Sequence, residues 1–181
     1  MPKALLEFAP RSAIDMTLSR FVQQGTLRRA GRGLYARPEK SEWTGENVPV
    51  ELEAALNTIT QHLGETIAPH GAIAVNRFNL STQIPMRPIF LTTGRSRILE
   101  IEGREVELKH VNPRQLPLGA SRPGVALIAM RYLGREHLEP QHIRQIREQL
   151  STEEWAQLKS ALIGQPAWLI EAIGRNEGQY V

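Results

Sequence analysis

The sequence predicts an α+β fold made of two regions with different compositions. Apolar residues recur at helical spacing in several segments, and short segments between residues 26 and 111 have the composition of strands. Charge is divided unevenly: residues 1–40 contain eight Lys/Arg and three acids, a balance of +5, while the rest contains fourteen and sixteen, a balance of −2. This division favours a polyanion-binding N-terminal region joined to a body with a different task.

An amphipathic helix is predicted over residues 12–24. Apolar residues follow Ile14 at i+4, i+7 and i+8, which places them on one face of the helix. Ser12 is suited to be the N-cap, and Gly25 to end the helix in the left-handed conformation. The segment KALLEF, residues 3–8, is predicted to form one short helix before it. Two helices are therefore expected before residue 25.

A basic β-hairpin is predicted directly after the second helix. Thr26–Ala30 and Leu34–Ala36 are strand segments around Gly31-Arg32-Gly33, whose glycines permit positive φ at the turn. Two helices followed by a basic hairpin is the order of a winged helix-turn-helix, in which a helix enters the major groove and the hairpin, or wing, lies along the DNA backbone. The first of the usual three helices is expected to be missing, since only eleven residues precede Ser12.

This arrangement predicts an interface for double-stranded DNA on the helix and the hairpin. Basic side chains suit phosphates, and side chains near the start of the helix suit base edges. The candidate DNA-binding residues are Arg11, Ser12, Met16, Ser19, Arg20, Arg28, Arg29, Arg32, Tyr35 and Arg37. Surface charge that serves only solubility is the alternative interpretation of the arginines.

Residues 39–49 are predicted to be a linker. They are rich in Pro, Gly, Ser and charge, and they separate a winged head, residues 1–38, from an α+β body, residues 50–181, that should fold by itself. In the body, helices are predicted at about residues 50–63, 71–78, 123–133, 139–150 and 151–162 and from Pro166 onward, and strands at 89–92, 98–101 and 106–111. These strands would form a small, mostly antiparallel sheet, followed by C-terminal helices.

Composition excludes several kinds of site. The chain has no cysteine, which excludes disulfides and thiolate metal sites and favours a reducing cytoplasm. Asp15 is the only aspartate, and the five histidines lack metal-ligand spacing. There is no phosphate-binding glycine loop, no serine-nucleophile motif, no secretory signal and no segment apolar enough to span a membrane. The sequence therefore predicts no catalytic residue, no metal, no cofactor and no membrane partner.

A trace of a nuclease motif is present at Glu107-Leu108-Lys109. The segment is similar to the E-x-K half of a restriction-nuclease site, for which only Glu100 or Glu102 could supply the upstream acid. The solvated face of an alternating strand explains Glu107 and Lys109 better. A restriction-nuclease-like enzyme is therefore one alternative to a DNA-binding protein. A protein-interaction adaptor that has lost DNA binding is another.

The most specific stretch is GAIAVNRFNLSTQIPMRPIFLTTGRSR, residues 71–97. Together with LSRFVQQGTLRRAGRGLYARP, residues 18–38, and the later PAW, residues 166–168, it resembles the AbiEi-type antitoxin family of bacterial type IV toxin–antitoxin systems. Within that family the chain is similar to a short branch in which a winged helix precedes a domain with a GAxAxN…LSTQxP signature. The resemblance covers nearly the whole chain.

The resemblance implies a cytoplasmic antitoxin that binds the promoter of its own operon and represses it. It also implies opposition to a nucleotidyltransferase-like toxin without a stable complex of the two proteins. On this chain it places the LSR element, residues 18–20, on the recognition helix. The candidates for the antitoxin surface are Asn76, Ser81, Thr82, Gln83, Arg95 and Arg97. A purely structural role in a turn is an equal alternative for Asn76 and Gln83.

Overall fold

The computed structural model describes residues 5–83 and 86–177, which form seven α-helices and a six-stranded mixed sheet. The predicted α+β class is confirmed. The helices are α1 Arg11–Gln23, α2 Leu52–Gln61, α3 Gly71–Arg77, α4 Arg122–His137, α5 Pro140–Gln149, α6 Thr152–Ser160 and α7 Ala167–Glu177. The strands are β1 Arg28–Gly31, β2 Leu34–Ala36, β3 Ile67–Pro69, β4 Ile89–Thr92, β5 Arg97–Ile101 and β6 Arg104–His110. No helix among the described residues is long and apolar enough to cross a bilayer.

The strand order of the sheet is β2-β1-β5-β6-β4-β3. The pairings β1–β2, β1–β5 and β3–β4 are antiparallel. Strand β3 was not expected from the sequence, because a three-residue strand that is buried throughout has no alternation to reveal it.

The chain divides into two compact units whose boundaries differ from the predicted head, linker and body. Unit 1 contains the chain up to Glu65 together with Arg97–Glu107, and unit 2 contains Thr66–Ser96 and the chain from Leu108 onward. The predicted linker, residues 39–49, lies inside unit 1. There, Lys40 and Asn47 form an antiparallel bridge, and the N–H of Val48 donates to the carbonyl of Glu39 at 2.7 Å. Residues 50–65 belong with the N-terminal region. In a fragment that starts at residue 50, these residues would therefore lose the packing partners that precede them in unit 1.

The start of α1 differs from the prediction. Pro10, not Ser12, is the N-cap, and it makes no side-chain capping hydrogen bond. Because proline has a fixed φ and needs no hydrogen bond at its nitrogen, the helix can begin directly after it. The segment KALLEF lies partly outside the described residues, and its described part is a single turn closed by the N–H of Phe8 on the carbonyl of Leu5.

The end of α1 is a Schellman motif, as the glycine at position 25 predicts. Gly25 has φ +72°, and its N–H donates to the carbonyl of Val22 at 3.1 Å. The N–H of Thr26 donates to the carbonyl of Phe21 at 2.9 Å, which completes the motif. The left-handed residue turns the chain sharply from α1 into β1.

Strands β1 and β2 form the predicted hairpin with a shorter turn. Only Arg32 and Gly33 lie between the strands, and Gly33 has φ +71°. Gly31 is a strand residue that pairs with Ile101 of β5, and a Cβ built on it would lie 2.7 Å from the carbonyl oxygen of Glu100. Gly31 is therefore required by close backbone approach, not by the turn.

Helix α4 is the centre of unit 2. Its residues from Pro123 to Met130 are all buried, so this stretch of the helix is enclosed on every side, and the helix contacts α3, α6, α7 and β3. Gly134 has φ +74° and interrupts the helix close to its predicted end. The predicted capping box of Ser151 and Glu154 is confirmed at the start of α6.

Candidate nucleic-acid interface

Helix α1 buries one face and exposes the other. Ile14 and Leu18 are buried, and the helix packs on β1. The opposite face follows i, i+4, i+7 spacing from Ser12 and includes Met16, whose side chain is 71% exposed. Ser19 and Arg20 are exposed beside them. The residues predicted to meet base edges therefore share an accessible surface.

Arg11, the first residue of this helix, is exposed but is already paired with an acidic side chain. Its Nε donates to Oδ2 of Asp15 at 2.8 Å, in an exposed pair one helical turn apart. Pairs of this kind are weak in water, about 0.3–0.5 kcal/mol. The cation of Arg11 is accessible, but a carboxylate already accompanies it.

The two faces of the hairpin carry different arginines. In the antiparallel register Arg28 lies opposite Ala36, and Arg29 lies opposite Tyr35. Paired residues point to the same side of a sheet, and neighbours along a strand point to opposite sides. Arg29 and Tyr35 therefore share one face with Arg37, two residues beyond Tyr35. These three residues are called the outer hairpin face below.

Arg28 points to the other face and is used inside unit 1. Its guanidinium forms an ion pair with Glu102, and Nη2 donates to the carbonyl oxygen of Val48. The Arg28 and Glu102 side chains are only 21% and 18% exposed. The phosphate contact predicted for Arg28 would require breaking this pair, so Arg28 serves to attach the hairpin.

Glu102 connects three segments of unit 1. Besides pairing with Arg28, its carboxylate accepts the N–H of Val50 at 2.8 Å, and its own N–H donates to the carbonyl of Ala30 at 2.7 Å. Glu102 and Gly103 have φ +50° and +75°, the pattern of a type I′ turn between β5 and β6. No local pattern in the sequence indicates the pairing of Glu102 with Arg28, which lies 74 positions away.

The outer hairpin face and its turn keep their cations available. Among the described residues Arg20, Arg32 and Arg37 form no ion pair, and the Nε of Arg29 donates only to the carbonyl of Gly31, at 3.4 Å. Arg29 and Arg32 also border a cavity of about 590 Å³ that Glu100 of β5 lines. Glu102 lines the same cavity but is paired with Arg28, so Glu100 is the carboxylate that lies near the two arginines without pairing with them.

The LSTQ segment of unit 2 is held by side chains around it. The side-chain amide of Asn76 donates to the carbonyl of Gln83 at 2.8 Å, and the N–H of Gln83 donates to the hydroxyl of Ser81 at 3.1 Å. Gln145 and Gln149 of α5 both donate to the carbonyl of Phe78. Asn76 and Ser81 thus have structural roles in this turn. The side chains of Thr82 and Gln83 are exposed.

The two arginines proposed for the antitoxin surface differ in accessibility. Arg97, in unit 1, forms a bidentate ion pair with Glu65, with distances of 3.1 and 2.8 Å, and is 24% exposed. Arg95, in unit 2, is exposed. Only Arg95 of the two is therefore presented to a partner.

Strand β6 carries the nuclease-like segment on its solvent side. Val106 and Leu108 are buried. Glu107, which lies between them in the sequence, and Lys109, which follows them, are exposed. Glu102 is already occupied by Arg28, and residues 5–83 and 86–177 contain no group of three His, Asp or Glu side chains that could hold a metal ion. No observation favours the nuclease alternative as a second candidate function.

A protein family described as a family of unknown function, DUF6088, matches residues 1–158. The chain belongs to this family. No curated protein and no solved structure matches the chain. The DUF6088 match includes α1, the hairpin, both parts of unit 1 and most of unit 2, so the candidate interface lies within the region that defines the family.

Proposed function

We propose that this protein is a DNA-binding antitoxin that represses its own type IV toxin–antitoxin operon and opposes a nucleotidyltransferase-like toxin. The resemblance to AbiEi-type antitoxins supports both parts of the proposal. The observation that carries the DNA-binding part is the combination of an exposed polar face on α1 with a hairpin whose exposed arginines form no ion pair among the described residues.

The DNA contacts divide by the chemistry of the side chains. Arg29, Arg32 and Arg37 would bind phosphates, since a guanidinium matches phosphate oxygens in charge and geometry. Arg32, alone beside Gly33 in a two-residue turn, suits a narrow minor groove. Ser12 and Met16 would meet base edges from the first turns of α1. Arg28 is left out of the contact set because Glu102 neutralises it.

Opposition to the toxin would depend on unit 2. Thr82, Gln83 and Arg95 are the accessible members of the candidate surface. The proposed partner is a nucleotidyltransferase-like toxin, and no stable complex between the two proteins is required.

A salt titration tests the DNA-binding part. Binding of the full chain to a duplex from its own upstream region is followed by fluorescence anisotropy over a range of KCl concentrations. Each lost phosphate contact removes about 0.9 from the slope of log K against log[salt], so the Arg29→Ala, Arg32→Ala, Arg37→Ala triple variant should flatten the slope by roughly 2–3.

A matched control uses exposed arginines of unit 2. The variant Arg122→Ala, Arg135→Ala, Arg144→Ala removes the same charge and should leave the slope unchanged. Equal flattening in both variants would show that the hairpin has no special role. An unchanged slope in the hairpin variant would overturn the interface.

A growth assay tests the antitoxin part. The full chain or its hairpin triple variant is expressed beside a nucleotidyltransferase-like toxin from the adjacent reading frame and a reporter driven by the operon promoter. The hairpin variant should restore growth and fail to repress the reporter. Absence of growth rescue by the wild-type chain would overturn the antitoxin part without affecting the DNA-binding part.

A further inference from the structure

Unit 2 contains a cavity of about 320 Å³ to which the proposed function gives no role. Its polar lining consists of His70, Lys109, Gln115, Arg131 and Tyr132. No aspartate or glutamate is among the residues that line it. A lysine and an arginine therefore share a concave site with no carboxylate in its lining, and an anion bound there would be attracted by both.

Arg131 is the better-fixed of the two cations. It is half-buried on α4, and its Nη1 donates to Oε1 of Gln165 at 3.0 Å. Gln165 is buried and is itself oriented by donating to the carbonyl of Arg114 at 3.1 Å. Within the described part of the chain this neutral amide is the partner of Arg131, so the guanidinium is held in place with its charge unpaired. Burial also lowers the pKa of Arg131, although the group stays protonated near neutrality.

Lys109 reaches the cavity from β6. It is exposed on the solvent side of the strand and forms no ion pair with a described residue. Glu107, two residues earlier on the same side, is not among the residues that line the cavity. Lys109 therefore contributes its charge to the cavity lining, and Glu107 does not.

An aromatic pair forms another wall. The rings of His70 and Tyr132 meet edge to face, with centroids 5.4 Å apart and an interplanar angle of 74°. Gly71 makes this possible, since a Cβ built there would lie 2.3 Å from Cγ of Tyr132. This contact gives a physical reason for the first glycine of the GAxAxN signature. Leu91, Val111 and Ile128 supply apolar surface to the same cavity.

We propose that this cavity binds a small phosphate monoester that carries a planar ring, such as a nucleoside monophosphate. A phosphate monoester carries a charge of about −1.5 to −2 at neutral pH, which matches the two cations. The apolar and aromatic walls suit an organic ring, and the volume is at the lower end of the roughly 300–1,000 Å³ found for small-molecule sites. This site is separate from the proposed DNA interface and does not depend on it.

Calorimetric titration of the full chain with four probes tests the proposal: AMP, ribose 5-phosphate, inorganic phosphate and adenosine. AMP should bind saturably and more tightly than the other three. No saturable AMP binding would overturn the site. If inorganic phosphate binds with the same affinity as AMP, the proposed role of the planar ring is wrong. If adenosine binds with the same affinity as AMP, the proposed role of the phosphate is wrong.

Variants assign the binding to the cavity. A charge-assisted hydrogen bond supplies enough free energy that Arg131→Gln should weaken AMP binding roughly 10- to 100-fold. Arg135→Gln, on the same helix but outside the cavity, should bind like the wild type. Lys109→Gln, at an exposed strand position, should weaken binding in the same direction and serves as the test if Arg131→Gln fails to fold. Wild-type affinity in the Lys109 variant, or in a folded Arg131 variant, would overturn the proposal.

Discussion

The outer hairpin face of unit 1 and the cavity of unit 2 both present cations, but they present them in different ways. Arg29 and Arg37 are exposed side chains on the hairpin at one edge of the sheet, where water screens their charge. Arg131 is half-buried in a concave site, oriented by a buried amide. An exposed row of cations suits a long polyanion bound by many weak contacts, whereas a fixed cation in a cavity suits one small anion.

A second contrast lies within the hairpin itself. Arg28 and Arg29 are adjacent in sequence, yet one is neutralised by Glu102 and the other is exposed. The alternation of a β-strand places them on opposite faces, so a single residue of register decides which arginine is structural and which can bind a ligand.

The largest expected effect comes from removing the cations of one region while leaving those of the other in place. The hairpin triple variant Arg29→Ala, Arg32→Ala, Arg37→Ala should lose DNA affinity by about 100-fold at low salt, since roughly three phosphate contacts disappear, and should bind AMP normally. Arg131→Gln should show the reverse pattern. Anisotropy and calorimetry on the same protein preparations measure both. Loss of both activities in either variant would show that the two regions are not independent.

A smaller effect is expected from breaking the ion pair between Arg28 and Glu102. Glu102→Gln removes the carboxylate from a guanidinium that is only 21% exposed. The free energy of unfolding should fall by about 1–3 kcal/mol, because a partly buried charge loses its partner. Urea unfolding followed by circular dichroism measures this change. Arg29→Gln is the matched control and should leave stability unchanged; equal losses would contradict the division of roles within the hairpin.

Sequence discrimination should depend on the exposed face of α1. Replacing Ser12 and Met16 with Ala should lower the ratio of affinities for operator and random DNA by roughly 5- to 10-fold, since one good base contact contributes about 1–3 kcal/mol. Affinity for random DNA should change little. Thr17→Ala, which changes another face of the same helix, is the control. Equal losses on both DNAs would remove α1 from the base-reading role.

The smallest expected effect comes from the carboxylate near the hairpin arginines. Glu100→Gln should raise DNA affinity by roughly two- to threefold at low salt and by less at high salt, because a screened repulsion is removed. The exposed residue Glu136 of unit 2 provides the control substitution Glu136→Gln. Equal increases in both variants would indicate a net-charge effect and not one specific to the hairpin.

Local sequence signals predicted most of the elements. Helix periodicity, the capping box at Ser151 and the glycine at position 25 depend on residues within a few positions of one another, and all three are present in the structure. Strand β4 was predicted with its observed ends. The N-cap of α1 was wrong by two residues because Pro10 can begin the helix without a side-chain cap.

The sequence by itself determined the α+β class, the helix followed by a basic hairpin, and the exposure of Arg29, Arg32 and Arg37, because each is a property of neighbouring residues. The tertiary structure alone decided that Arg28 pairs with Glu102, that residues 39–65 belong with the N-terminal region, and that Lys109 and Arg131 line one cavity. These features join residues far apart in the chain. Local periodicity and turn chemistry contain no information about such distant partners.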